Sequence, residues 1–232
     1  MSWLLVRYDR DGAARYLSHL DTARALQRTF ARAAVSVAQS QGMRPKARLS
    51  LGLPLPVGAA ARDELVLVEL AQPPDQGDLA SLRDRLRAAA PAGLTVTQIS
   101  WIAERPRLQP LRAEYECVVR GDPVALQRAV ESFREREEVV VERVSPKGRK
   151  VVDLKRYVEA VWARPRPDGL HIGFTIRHTQ SGAARPEELV RFLAECAGAE
   201  PITRDLLRRG VAYRGLPETA VGRGTKEMRS RE

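Results

Sequence analysis

The sequence predicts an α+β protein built from two tandem ferredoxin-like (βαββαβ) domains with antiparallel sheets, the second domain being elaborated. The main observation is an ordered alternation of strand-like and helix-like patterns that runs through the first half of the chain and starts again in the second half. A second observation is the charged segment of residues 104–109, bracketed by Pro106 and Pro110, which separates the two halves.

The first half contains four strand patterns and two helix patterns. Residues 3–9, 48–56, 63–72 and 94–102 read as strands, whereas residues 18–34 and 79–90 show the apolar period of an amphipathic helix. Pro91 and Gly93 end the second helix. The resulting order, β-α-β-β-α-β, is that of the ferredoxin-like unit.

The second half repeats this order with additional strands. Strands are predicted at residues 112–120, 139–144, 151–162, 169–177 and 205–213, and helices at residues 124–134 and 187–197. We therefore expect domains at residues 1–104 and 112–215, a linker at residues 105–111, and a disordered tail at residues 216–232.

Composition limits the class of protein. The 232 residues contain no apolar run near the roughly 20 residues that a membrane span needs, and the first residues lack the pattern of a secretory signal. We expect a cytoplasmic protein with no membrane partner. The two cysteines, Cys117 and Cys196, have no partner at metal-ligand spacing, so we expect both to be small buried apolar residues and assign no metal and no cofactor.

The charge favours a polyanionic partner. The chain has 39 Lys and Arg residues against 29 Asp and Glu residues, a net charge of +10. The excess is concentrated: from Arg15 to Arg48 seven basic residues accompany one acid, and from Arg143 to Arg156 six accompany one acid. Two such patches predict nucleic-acid binding, and the alternative is a solvated surface.

The stretch S18-H-L-D21 predicts the start of a helix. Ser18 and Asp21 have the spacing of a capping box, and Asp21 suits the positive end of the helix dipole. Apolar residues are expected on one face, namely Leu20, Ala23, Leu26, Phe30 and Ala33. Arg24, Arg28 and Arg32 form a stripe almost opposite; Asp21 can pair with Arg24, which leaves the other two for phosphate.

Two glycine-containing loops are further candidates. The first, S40-Q-G-M-R-P-K46, places donors and cations beside a glycine, which suits a phosphate or a nucleobase edge; a polar connection on an edge strand is an equal alternative. The second, R177-H-T-Q-S-G-A-A-R185, precedes a helix opened by Pro186, whose N-terminus can attract an anion. Glu187 and Glu188 can instead cap that helix themselves.

Four motifs together resemble the bacterial radical SAM-linked proteins, a domain of unknown function (DUF2344). They are Y16-L-S-H-L-D-T-A-R-A-L-Q-R28, S40-Q-G-M-R-P-K-A-R-L-S-L-G-L-P-L-P-V-G58, V152-D-L-K-R-Y-V158 and R177-H-T-Q-S-G-A-A-R185. The resemblance spans nearly the whole chain except the tail. One departure is G42-M-R-P-K46, which stands where the family usually has G-F-N-P-H-P-K.

The resemblance implies a partner rather than an activity, because family members are found fused or adjacent to a radical SAM, B12-binding-type protein, and often near an RNase E/G-type ribonuclease. Radical SAM chemistry itself requires three cysteines on one cluster loop, and this chain has two that are far apart. We therefore expect a non-catalytic accessory protein that binds RNA, in tRNA or rRNA maturation or modification, and presents it to a radical SAM enzyme.

Two alternatives remain open at this stage. The first is a metal-independent endoribonuclease resembling the enzymes that process CRISPR repeats, with His19, His178 and Tyr16 as candidate acid and base groups. The second is an adaptor that binds only a protein partner. The residues expected to bind nucleic acid are Arg15, Arg24, Arg28, Arg32, Gln41, Gly42, Arg44, Lys46, Lys147, Arg149, Lys150, Arg177, Gln180, Ser181, Gly182 and Arg185.

Overall fold

A computed structural model describes residues 2–72, 79–119, 121–146, 148–199 and 205–217. The described residues form two compact units, one with the residues up to 110 together with 210–217, and one with those between 111 and 209. Within the described residues the secondary structure is mixed, with four α-helices and mostly antiparallel strands, so the predicted α+β class with antiparallel sheets is confirmed. The predicted boundaries at residues 104, 112 and 215 stay a prediction, and residues 218–232 of the expected tail lie outside the described residues.

The first unit contains four strands and two helices in its N-terminal part. Their order is β1 (Ser2–Arg10), α1 (His19–Arg32), β2 (Leu49–Leu51), β3 (Ala60–Leu70), α2 (Leu79–Ala89) and β4 (Leu94–Ile102), with a short 3-10 helix at Gly12–Tyr16. β1 lies between β4 and β3, and β2 pairs with β3, each pair being antiparallel. The second predicted strand, residues 48–56, corresponds to β2, which is only three residues long.

Strand alternation gives the sheet of the first unit two apolar faces. Leu4, Val6 and Val66 point to the same side, where they pack against Leu26 and Phe30 of α1 and against α2. The opposite side carries a smaller cluster of Trp3, Leu5 and Leu67, against which Leu108 and Leu216 pack. Leu216, which the sequence places at the start of the tail, is thus partly buried.

The second unit contains the remaining elements. They are β5 (Gln109–Val119), α3 (Pro123–Glu135), β6 (Val140–Ser145), β7 (Gly148–Asp153), β8 (Val158–Arg166), β9 (Gly169–Arg177), α4 (Pro186–Cys196) and β10 (Leu207–Arg214). β10, β5, β9 and β8 are neighbours in this order, and β6 and β7 form a separate two-stranded sheet. Residues 207–209 of β10 belong to this unit and residues 210–214 to the first.

The prediction of one strand over residues 151–162 is wrong. A 3-10 helix at Leu154–Arg156 interrupts it, because the side chain of Asp153 accepts a hydrogen bond from the Lys155 backbone N–H and starts a turn. Leu154 is fully buried at this turn, so the break is held by packing as well as by the cap.

The core of the second unit forms along β5 and β9. Tyr115 and Phe174 face each other across these strands, and their rings stack with centroids 5.5 Å apart. Phe133 of α3 meets Phe192 of α4 edge to face at 5.9 Å. Gly173 lies under the ring of Trp162, and a Cβ there would stand 2.1 Å from the ring carbons, so this position requires glycine.

A buried ion pair supports the first unit. The Arg7 guanidinium lies 2.9 Å from the Asp63 carboxylate, and the side chains are 1% and 7% exposed. Asp63 has a φ of 59°, which aspartate and asparagine adopt more readily than most residues. Two charges at this depth stabilise the fold only as a pair, because either one alone is strongly desolvated.

We predict that Asp63→Asn lowers the free energy of unfolding by about 3 kcal/mol, since it removes the charge facing Arg7 while keeping a residue suited to positive φ. Urea denaturation followed by circular dichroism measures the change. Asp84→Asn is the matched control, because it breaks an exposed pair with Arg83 and should cost less than about 1 kcal/mol. Equal effects of the two substitutions would show that the buried pair contributes no more to the free energy of unfolding than the exposed pair does.

Candidate nucleic-acid interface

Helix α1 begins as the sequence predicts. Ser18 is the N-cap, and its Oγ accepts a hydrogen bond from the Asp21 backbone N–H at 3.1 Å and donates one to the Asp21 carboxylate at 2.7 Å. These bonds with Ser18, and those from Arg24, lower the pKa of Asp21. The predicted capping interaction is confirmed, and it accounts for the S18-H-L-D21 stretch without any catalytic role.

A buried arginine that sequence reasoning missed fixes the position of this helix start. Arg10 is almost fully buried. Its Nη1 donates to the Leu17 carbonyl and the Thr22 hydroxyl, and its Nη2 donates to the carbonyls of Pro56 and Ala59. One guanidinium therefore ties the start of α1 to the loop before β3.

The arginine stripe of α1 is exposed as predicted, but its three members differ. Arg24 pairs with Asp21 at 3.0 Å. Arg28 and Arg32 are exposed, and within the described ranges neither has an ion pair or a side-chain hydrogen bond. These two cations are therefore free to meet an anion.

The predicted buried face of α1 is partly wrong. Leu20 is 66% exposed and Ala23 is only partly buried. The buried residues are Thr22, Ala25, Leu26, Thr29 and Phe30. Thr22 and Thr29 can be buried because the hydroxyl of each donates a hydrogen bond to the carbonyl four residues earlier. The apolar pattern does not include these two polar residues in the buried face.

Arg15 is committed to the backbone rather than presented to solvent. It is partly buried, and its Nε donates to the Gly58 carbonyl at 2.8 Å, while the Gly58 N–H donates to the Arg15 carbonyl at 2.8 Å. These reciprocal bonds support the same loop that Arg10 holds. Tyr16 and His19, the neighbouring candidate catalytic groups, are exposed.

The loop of residues 40–46 is closed at its base and open at its tip. The Ser40 N–H donates to the Lys46 carbonyl at 2.8 Å, and the Lys46 N–H donates to Ser40 Oγ at 2.9 Å. Gly42, with a φ of 124°, makes the turn. Gln41, Gly42, Arg44 and Lys46 are all exposed. In the part of the chain that the structure describes, the side chains of Arg44 and Lys46 form no ion pair.

The second predicted basic patch, from Arg143 to Arg156, includes most of the β6–β7 hairpin of the second unit. Arg149 is exposed and pairs with Glu142 at 3.3 Å across the two strands. Lys150 is exposed on the adjacent position. Lys147 lies outside the described residues.

The loop of residues 177–185 forms a tight turn. The backbone groups of Thr179 and Gly182 bond reciprocally, and the Thr179 hydroxyl also donates to the Gly182 carbonyl at 2.9 Å. Gln180, Ser181 and Gly182 are exposed at its tip. Arg177 donates to the Arg156 carbonyl at 2.8 Å and lies 3.7 Å from Glu159.

The N-terminus of α4 is occupied by its own glutamate, which favours the structural alternative for this loop. The Glu188 carboxylate accepts from the Arg185 backbone N–H at 2.8 Å and forms a two-point pair with Arg143 at 2.6 and 2.8 Å. Arg143 also donates to the Ala183 carbonyl at 3.0 Å. The side chain of Arg185 itself remains exposed.

The two other histidines lie in the second unit. His178 is partly buried; burial and the charge of Arg208 lower its pKa, and its Nε2 is buried without a hydrogen-bond partner among the described residues. His171 lies between two carboxylates, with Nδ1 2.8 Å from Glu116 and Nε2 2.9 Å from Asp168. His171 is therefore held on both sides by carboxylates, whereas the ring of His178 is not.

The cysteines are only partly as predicted. Cys117 is buried, and this burial raises the pKa of its thiol to about 12. Cys196 is exposed at the end of α4, so the expectation that it is buried is wrong. Among the described residues, no group of three or more His, Cys, Asp and Glu side chains is placed to hold a metal ion, and no helix is long and apolar enough to cross a bilayer.

The fold and these side chains define a mixed α+β protein. Its first unit has exposed cations on α1, Arg28 and Arg32, and on the loop of residues 40–46, and among the described residues these cations have no ion-pair partner. The chain belongs to the family described as an uncharacterized protein conserved in bacteria (DUF2344), whose model matches residues 4–186. The comparison with curated proteins gives no match.

Solved structures match this chain at low sequence identity, and only a TM-score above 0.5 indicates a likeness, which is then one of fold alone. A chain in the crystal structure of a Cbf5-Nop10-Gar1 complex is 10% identical with a TM-score of 0.53; the match covers 90% of this chain and 48% of that one, about half its length. An unknown protein from Galdieria sulphuraria is 16% identical with a TM-score of 0.25, over 85% of this chain and 89% of that one.

We predict that Glu188→Gln lowers the free energy of unfolding at pH 7 by about 2 kcal/mol, because it removes the charge that Arg143 requires. Burial acts to raise the pKa of Glu188, but the bonds from Arg143 and the Arg185 N–H outweigh it, and the pKa lies below the ordinary 4.5. This stabilisation is present above the ordinary value and is lost as the pH falls below it.

Thermal unfolding at pH 7 and at pH 4 measures this effect. The variant should lose less stability on acidification than the natural protein. Glu195→Gln, on an exposed position of the same helix, is the control and should leave both values nearly unchanged. An identical pH response of natural protein and Glu188→Gln would rule out this role of Glu188.

Proposed function

We propose that this protein binds RNA and presents it to a partner enzyme, without catalysing a reaction itself. The observation that carries the proposal is the set of exposed cations in the first unit that have no ion-pair partner among the described residues: Arg28, Arg32, Arg44 and Lys46. Lysine and arginine side chains without a carboxylate partner gain most from phosphate, since no internal pair must be broken.

The proposed fold of each unit is ferredoxin-like, and strand order supports this. In the first unit β4, β1, β3 and β2 are neighbours in that order, all antiparallel. In the second unit β10, β5, β9 and β8 stand in the corresponding order, and the β6–β7 hairpin is the added element. A βαββαβ unit places its helices on one face of its sheet and leaves loops at the ends free to carry function.

The identity of the RNA and of the partner rests on the family resemblance. It suggests tRNA or rRNA as the ligand, a radical SAM enzyme of B12-binding type as the partner, and an RNase E/G-type ribonuclease as a further partner. Co-elution of this protein with the radical SAM protein, with and without RNA, tests the partner. Loss of the complex after RNase treatment would show that RNA bridges the two.

We predict that Arg28→Ala/Arg32→Ala weakens RNA binding and reduces its dependence on salt. The slope of log K against log salt concentration is negative, and the loss of two phosphate contacts should reduce its magnitude by about 1.5. The measurement is retention of total tRNA and of rRNA fragments on the purified protein over a range of salt concentrations. Arg44→Ala/Lys46→Ala tests the loop in the same way.

Arg24→Ala/Arg83→Ala is the matched control, because it removes the same formal charge from arginines already paired with Asp21 and Asp84. It should change the slope much less. If both double variants changed it equally, net charge rather than the unpaired cations would govern binding, and the proposed surface would be wrong.

The same assay separates the two alternatives. Shortened RNA would favour the endoribonuclease, and the activity should then disappear in His19→Ala or His178→Ala. Absence of binding at every salt concentration would favour the protein adaptor, with the exposed cations contacting acidic side chains of the partner.

A further inference from the structure

A groove of about 570 Å³ lies within the first unit, and none of the residues that the sequence assigns to nucleic acid lines it. Part of its lining comes from the end of β2 and the segment that follows, with Leu51 and Leu53, and part from the segment of residues 105–110. Leu67 of β3 contributes to its lining, and Leu67 belongs to the apolar cluster of Trp3 and Leu5. Its volume is in the range of pockets that hold small organic ligands.

The charge along this groove is of one sign. Arg105 and Arg107 are its charged residues, and no carboxylate is among the residues that line it. The guanidinium carbon of Arg105 lies 5.4 Å from the centroid of the Trp3 ring, a cation–π contact that restricts the orientation of the side chain. Both arginines are exposed, and no salt bridge to either is found in the described part of the chain.

The wall formed by the β2 segment is held in place by a close backbone approach. The Leu53 N–H donates to the hydroxyl of Tyr213 at 2.7 Å. A Cβ on Gly52 would stand 2.4 Å from this hydroxyl, so only glycine allows the contact. Tyr213 also lines the groove, and the half-buried Ser50 adds a hydroxyl to the lining.

We propose that this groove accepts one unstacked nucleotide of the bound RNA, with the base against the leucine-lined surface and the flanking phosphates on Arg105 and Arg107. This inference rests on the proposed function and names a second contact for it. A nucleobase has apolar faces and polar edges, which fits leucines beside Ser50 and Tyr213. Single-stranded RNA supplies such bases together with the anions that two unpaired arginines attract.

Charge complementarity distinguishes this occupant from an apolar peptide. A purely aliphatic segment would cover the leucines but would leave both guanidinium groups without an anion. A nucleotide matches both the apolar surface and the charge, and an oriented guanidinium plane is also a surface on which a base can stack. The free mononucleotide carries the same chemistry as the RNA nucleotide, so the experiment has to separate these two sources.

The experiment uses the full chain and a short single-stranded oligoribonucleotide that contains one 4-thiouridine. Ultraviolet cross-linking followed by mass spectrometry identifies the cross-linked peptides. The expected result is cross-linking to residues 50–54 or 105–108. Affinities for the oligonucleotide, for uridine monophosphate and for inorganic phosphate are measured in parallel by calorimetry.

Arg105→Ala/Arg107→Ala should lower the affinity for the oligonucleotide at least tenfold and remove the cross-links from the groove. Arg128→Ala/Arg166→Ala, which removes two exposed arginines of the second unit, is the matched control and should change the affinity less than twofold. Binding of the oligonucleotide tighter than that of uridine monophosphate would support an RNA nucleotide, whereas equal binding would overturn it in favour of a free nucleotide.

RNA binding and occupation of the groove are separated by the two double variants. If Arg28→Ala/Arg32→Ala weakens RNA binding but cross-links avoid the groove and Arg105→Ala/Arg107→Ala binds normally, the groove proposal is overturned and RNA binding stands. If no RNA binds at any salt concentration, both are overturned. Ser50→Tyr, which adds bulk at the groove while keeping both arginines, should also remove the groove cross-links in a folded protein.

Discussion

The buried guanidinium of Arg10 is the constraint on which the proposed RNA surface depends. Its donors reach the carbonyls of Leu17, Pro56 and Ala59 and the hydroxyl of Thr22, so one charge joins a strand, the start of α1 and the loop before β3. These four bonds offset the cost of burying the charge. The helix that presents Arg28 and Arg32 is consequently fixed at its N-terminus.

Pairing decides which cations can act in binding. Arg24, Arg48 and Arg143 have carboxylate partners at 3.0 Å or less. A phosphate would have to compete with these partners, whereas exposed cations without a pair meet an anion directly. The proposed RNA surface is therefore smaller than the net charge of +10 suggests. Its core is the Arg28 and Arg32 pair with the loop of residues 40–46.

Several charges of the second unit act inside its own fold. Glu188 closes the N-terminus of α4 and holds Arg143, and His171 lies between Glu116 and Asp168. The family motif R177-H-T-Q-S-G-A-A-R185 is thus in large part a turn and a helix cap. Arg177, the turn from Thr179 to Gly182, and Arg185 remain exposed, whereas Ala184 and Glu188 are buried.

The sequence by itself determined the α+β class, most of the helices and strands, and the cap of α1, because these follow from apolar periodicity and from bonds between residues close in the chain. It also located the exposed arginine stripe. Only the tertiary structure decided that Leu20 is exposed, that residues 151–162 break at Leu154, and that Arg10 is buried. The burial of Arg10 and of Leu154, like the groove at Arg105, depends on segments distant in the chain, whose packing no local pattern records.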